Sequence, residues 1–204
     1  MLGDCYFLCV LSALAERPNR IKELFYTKEI NAAGCYVVYF YVNGVKTPVM
    51  VDDHFPVTDW GAFAFASSKD GEIWVSLLEK AWAKLHGTYA RTESGSPHFA
   101  FSQLCGLPGY SETHKNISDV DNFWRQLQDF DRRNFVMLAA THGEGENENS
   151  DGIISGHAYS LISVIEFEHE GEQVRLLKLR NPWGKGEWTG DWSDNSPLWT
   201  DELR

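Results

Sequence analysis

The chain has no run approaching the ~18 consecutive apolar residues that a membrane-spanning helix needs. It has no basic patch either, because its 18 Lys and Arg stand singly or in pairs such as Arg132-Arg133 among 29 Asp and Glu. The formal net charge of -11 argues against nucleic acid or an anionic membrane as a partner, since both repel an acidic surface. The four cysteines, Cys5, Cys9, Cys35 and Cys105, show no CxxC spacing, and a chain of 204 residues needs no disulfide staples. A reducing compartment, the cytoplasm, is the expectation. No positively charged segment precedes the first apolar stretch, so no secretory signal is expected. Internal repeats and a full EF-hand pattern are also missing.

What is there is globular: 43% hydrophobic and 14% aromatic residues exclude a disordered chain. Tyr6 to Ala15 is apolar nearly all round and predicts a buried helix, ended by Arg17-Pro18. Asp4 is positioned to cap it through its side chain, which puts Cys5 in the opening turn. Residues 34–42 and 45–51 are rich in Val and Tyr and flank Asn43-Gly44, so they predict an antiparallel hairpin. Between Ile73 and His86 the apolar positions recur at helical spacing, with Gly87 as a stop.

From Thr92 to Gly109 the composition turns to Ser, Gly and Pro without a periodic segment. A boundary between two lobes, 1–105 helical and 106–204 β-rich, is placed there. Beyond it the chain reads mainly as strand: residues 135–141, then 157–167 and 173–180 joined by a turn around Glu170. Residues 142–152, acidic and rich in Gly and Asn, read as a mobile surface loop, with Glu144 to Asp151 as a flap beside the cleft. The architecture expected is α+β, two-lobed.

A thiol attacks a carbonyl only as thiolate, which a helix N-terminus and a neighbouring imidazolium both stabilise. Cys5 has the first of these. His157 opens a strand directly after Gly156 and a loop, so its ring can project from a sheet edge. A turn centred near Glu170 sets His157 opposite a residue between 181 and 185, which brings Asn181 to the same end of the ladder. An Asn side chain accepting the imidazole N–H fixes the tautomer, and Trp183 is placed to cover that bond. The bland alternative is an inert buried cysteine, a strand histidine and a turn-forming asparagine. Cys9, one turn along, is expected to be such a core residue. The order Cys, His, Asn suits a two-lobed thiol peptidase.

Leu2-Gly3-Asp4-Cys5-Tyr6-Phe7-Leu8 resembles the active-site motif of the calpain family of cysteine peptidases. Gly156-His157-Ala158-Tyr159-Ser160 is similar to the histidine motif of that family, and Arg180-Asn181-Pro182-Trp183-Gly184 to its asparagine motif. Val51-Asp52-Asp53 with Pro56, Leu77-Leu78-Glu79-Lys80-Ala81 and Glu187-Trp188-Thr189-Gly190 extend the likeness over essentially the whole chain. The resemblance implies a papain-like fold and a calcium-dependent intracellular endopeptidase that cleaves proteins through a thioester acyl-enzyme. It implies Cys5, His157 and Asn181 as the catalytic residues, with Trp183 in support. It also implies Glu79, Glu187 and Asp194 as calcium ligands, whereas the residues alone favour a solvated acidic turn for the last two.

The family motif begins with a Gln six residues before the cysteine, a donor to the oxyanion hole, and this chain starts four residues before Cys5. A piece cut at both ends and impaired in turnover is therefore expected. Protein substrates and further domains are the expected partners. The rival readings are a non-catalytic module that binds calcium or a protein, and an acyltransferase of the transglutaminase kind on a similar triad.

Overall fold

The computed structural model describes residues 2–68, 70–143 and 147–203. Helices and antiparallel strands divide into two groups, giving the expected α+β architecture. The first group holds α1 (Cys5–Ala15), α2 (Pro18–Leu24), β1 (Cys35–Val42), β2 (Val45–Asp52), α3 (Trp74–His86) and α4 (Pro97–Cys105). The second holds α5 (Val120–Arg132), β3 (Met137–Ala140), β4 (Ala158–His169) and β5 (Glu172–Arg180). Among the described residues no helix is long and apolar enough to cross a membrane.

Helix α1 forms where its apolar run places it, and it is the spine of the core. Phe7, Cys9 and Val10 are fully buried, and Phe7 stacks on Trp82 of α3 at 4.7 Å between ring centroids. The Trp82 indole N–H donates to Tyr6 Oη at 3.1 Å, which satisfies both polar atoms inside the core. Strand β1 alternates, with Tyr36, Val38 and Phe40 turned inward. Asn43 and Gly44 both have positive φ, 51° and 78°, as a tight hairpin turn matched to the strand twist demands.

The second sheet has the order β3-β4-β5, antiparallel throughout. Glu170 and Gly171, at φ 52° and 82°, turn β4 into β5, and the ladder runs from His169 opposite Glu172 to Ser160 opposite Arg180. Helix α5 lies against β4: Trp124 Nε1 and Gln128 Nε2 donate to Glu166, at 2.9 and 2.5 Å, and Val164 N–H donates to Asp131 at 2.8 Å. The two groups meet where α1 packs on β3 and β4, and Ala158 belongs to the same buried cluster as Cys5, Phe7 and Leu11.

Two expectations are corrected and two are extended. Asp4 makes no side-chain cap; its backbone carbonyl accepts from Phe7 N–H at 2.8 Å and Leu8 N–H at 3.1 Å, while its carboxyl is buried beside Glu79. Pro18 not only follows α1 but opens α2 as its first residue, where its missing N–H costs nothing. The Ser/Gly/Pro stretch contains α4, a helix of nine residues that buries Ala100 and Leu104 with Phe101 and Cys105 packed beside them. Region 106–204 holds, besides its three strands, a helix not expected from the sequence, α5, of 13 residues; Asp119 caps that helix by accepting from Asn122 N–H at 2.9 Å.

Of the acidic loop, Glu144, Gly145 and Glu146 lie outside the described residues. Residues 147–154 form a small turn at the surface, with a bridge between Glu148 and Ile154 and the Asn149 side chain accepting from Asp151 and Ile153. Gly152 sits so close to the tail that a Cβ there would lie 1.9 Å from the Glu187 carbonyl, and Thr189 N–H donates to Asp151 O at 3.0 Å.

Candidate active site

Cys5 is the first residue of α1, where the unsatisfied amides and the aligned peptide dipoles favour negative charge. It is buried, 8% exposed, at the first turn of the helix. Cys9 lies one turn deeper, fully buried, its thiol donating to Tyr6 O at 3.3 Å; burial first, then the charge of Cys5, pushes it far above the ordinary thiol range. Burial likewise pushes the Cys105 thiol up to about 11. No disulfide joins the four cysteines.

His157 is placed by backbone before its ring is placed by side chains. Gly156, at φ 60°, delivers it to the start of β4. Its N–H donates to Thr141 Oγ1 at 3.0 Å, and its carbonyl accepts from Thr141 N–H at 2.9 Å. The Thr141 hydroxyl in turn donates to Ile154 O at 2.6 Å. The imidazole is 1% exposed, with the Tyr159 ring edge-on at 4.9 Å and Trp183 tilted over it at 4.5 Å.

His157 Nε2 lies 2.8 Å from Asn181 Oδ1. Three further bonds hold that amide: Trp183 N–H donates to Oδ1 at 3.0 Å, and Nδ2 donates to Lys185 O at 2.6 Å and to Gly186 O at 3.4 Å. An amide oxygen only accepts, so Nε2 carries the hydrogen and Nδ1 is the basic nitrogen of the neutral ring. The arrangement follows from the hairpin: the ladder ends with Arg180 opposite Ser160, which sets Asn181 at the end of the sheet where His157 begins β4.

The sheet end and the helix start belong to one neighbourhood. Cys5 shares a buried cluster with Ala158, the residue after His157, and the Tyr159 ring packs against His157. The start of α1 and the head of β4 therefore pack together, with Asn181 and Trp183 against the imidazole. The contributions of Thr141, Tyr159 and Ser160 escaped the sequence reading. For the last two, the signal was the short spacing behind His157 at the head of a strand.

The acidic residues are not gathered. Glu79 is 2% exposed, and both its carboxylate oxygens accept from Ala66 N–H, at 3.2 and 3.0 Å. Burial, then the charge of Asp4 and a hydrogen bond with it, pushes Glu79 up to about 9. Glu187 and Asp194 are exposed in the tail. Among the described residues no three His, Cys, Asp or Glu converge as a metal group. Calcium takes six to eight oxygens, so these side chains do not by themselves make a calcium site, and no step is derived through one.

The buried Glu79 has a consequence for stability. Its folded value of about 9 lies above the 4.5 of an exposed glutamate, so the folded chain keeps a proton that the unfolded chain releases between those values. The stability this gives is complete below pH 4.5 and is lost as pH rises towards 9. Glu79→Gln keeps an acceptor for Ala66 and a donor for Asp4. It is expected to raise the thermal midpoint by several degrees at pH 8 and by progressively less towards pH 5, measured by circular dichroism. An equal change at both pH values would contradict this.

Comparison with known proteins agrees with the geometry. The model of the calpain family cysteine protease matches residues 1–204. The chain is 39% identical over 211 residues to the calpain-type cysteine protease DEK1 of Arabidopsis thaliana, covering 100% of this chain and 10% of that protein. It is 36% identical over 203 residues to human calpain-14, covering 98% of this chain and 29% of that protein. It is 32% identical over 206 residues to the calpain-2 catalytic subunit of Bos taurus, covering 97% and 29%. It thus spans less than a third of the length of these relatives. With the match running from end to end and the Cys, His and Asn motifs meeting at one junction of the fold, this chain belongs to the calpain family of cysteine proteases.

Proposed function

We propose that the chain is the core of a cysteine endopeptidase, with Cys5 as nucleophile, His157 as base and acid, and Asn181 as the group that orients His157. The observation that carries the reading is the 2.8 Å contact between His157 Nε2 and Asn181 Oδ1 at the sheet end packed on the helix that begins with Cys5. The Cys5 thiol proton passes to Nδ1, and the sulfur bonds to the scissile carbonyl carbon. The C–N bond then breaks, the leaving amine takes the proton from Nδ1, and a thioester remains. Water gives a proton to Nδ1 and its oxygen to the carbonyl carbon, and the C–S bond breaks. Trp183, packed on the imidazole, shields the Nε2–Asn181 bond from water. The Cys5 backbone amide is assigned to the oxyanion hole.

The division into a helical lobe, 1–105, and a β-rich lobe, 106–204, is part of this proposal. It is supported by the packing of α4 on α1 and β1, and of α5 on β4. The substrates are proteins, and further domains of the same polypeptide are the expected partners. A cytoplasmic setting is part of the same proposal. Calcium dependence rests on the family likeness alone, which implies Glu79, Glu187 and Asp194 as ligands. The test of the whole reading is casein hydrolysis by the protein and its Cys5→Ala variant. Hydrolysis that depends on Cys5 supports it; equal alkylation of all four cysteines with no hydrolysis supports a binding module; incorporation of an amine in place of water supports an acyltransferase.

A further inference from the structure

The hydroxyl of Ser160 is fully buried and donates to the carbonyl of Cys9 at 2.7 Å. This bond joins the two elements that carry the proposed nucleophile and base, across 151 residues of sequence. On one side, Cys9 is four residues along α1 from Cys5, about 6 Å at the helical rise. On the other, Ser160 is three residues on from His157, which immediately precedes β4, about 10 Å at the strand rise. Ser160 is also the ladder partner of Arg180, the residue immediately before Asn181.

A helix packed on a sheet through apolar contacts alone has no strong preference for its position along its own axis, because such contacts are non-directional. A short hydrogen bond in a dry interface does have one. The Cys9 carbonyl already serves the helix ladder, so its second acceptor site is the one Ser160 uses. The neighbouring contacts are looser or wetter: Arg180 reaches Ser12 Oγ at 3.4 Å and Glu16 at 2.6 Å, with both charged side chains well exposed. The Ser160 bond is a buried point that fixes the height of α1 against the sheet.

We propose that Ser160 is a positioning residue, setting the reach between Cys5 and His157 by pinning the first turns of α1 to the head of β4. This rests on the peptidase reading above. A misplacement of about 1 Å between reacting groups costs on the order of 100-fold in rate.

The experiment compares Ser160→Ala and Ser160→Cys with the unaltered protein. Ser160→Cys nearly conserves volume but offers only a weak donor, and so serves if the alanine variant does not fold. Expected are a kcat lower by about 10- to 100-fold at unchanged KM, far below the unfolding temperature, and a pH profile of Cys5 alkylation displaced towards that of a simple thiol. A loss of thermal midpoint with kcat and the alkylation profile unchanged would overturn the inference and leave the peptidase reading standing. If Cys5 of the unaltered protein already alkylates like a simple thiol and His157→Ala changes nothing, the peptidase reading falls, and this inference with it.

Discussion

Replacing Cys5 by alanine is expected to abolish hydrolysis of a protein substrate, with kcat falling by about 10⁵-fold or more, while the fold persists. The persistence follows from where Cys5 sits: at the first position of α1, 8% exposed, with the packing of that helix carried by Phe7, Val10 and Leu11 further in. The loss follows from there being no substitute. Cys9 is sealed in the core with its thiol far above the ordinary range, and Cys105 is raised to about 11 by burial. Neither lies at a helix start, and Cys35 opens strand β1. Casein digestion and a circular dichroism spectrum measured side by side test both halves, and hydrolysis within tenfold of the unaltered protein would contradict the assignment.

His157→Ala is expected to lower kcat by about 10⁴-fold or more, with a distinctive remainder. The ring it removes is 1% exposed, walled by Tyr159 and Trp183 and bonded to an Asn181 amide that Lys185, Gly186 and Trp183 hold independently. That amide stays in place when the imidazole goes, leaving an imidazole-shaped hole with its acceptor intact. Added free imidazole should therefore restore a measurable part of the lost rate, saturating with concentration. The same addition to the Cys5→Ala variant should restore nothing. A His157→Ala variant within tenfold of full activity would sink the role given to the ring.

Local chemistry made part of the fold legible in the sequence. Asn43-Gly44 and Glu170-Gly171 are pairs that take positive φ readily or with local help, and both turn strands where expected. The second turn also sets the register that brings Asn181 to the end of the sheet where His157 begins β4. The elements that escaped are those whose stability comes from tertiary packing. Helix α5 buries only Trp124 and is held by Glu166 and Arg175 of the sheet, partners 38 or more residues away in sequence. Asp4 looks like a cap by position, but a buried Glu79 competes for its carboxyl, and that contact spans 75 positions invisible to local reading. The acidic residues show the same limit. The family likeness implies a calcium site, yet Glu79 is buried beside Asp4 while Glu187 and Asp194 face solvent.

The central claim is that the sulfur opening α1 and the imidazole opening β4 face each other as one reacting pair. A short bifunctional alkylator such as 1,3-dibromoacetone, spanning about 5 Å, tests it directly, with peptide mapping by mass spectrometry. The account predicts a single bridge between Cys5 and His157, formed at the rate at which activity is lost. Single-ended labelling of Cys5 with no bridge to His157, or a bridge from Cys5 to any other side chain, would contradict it.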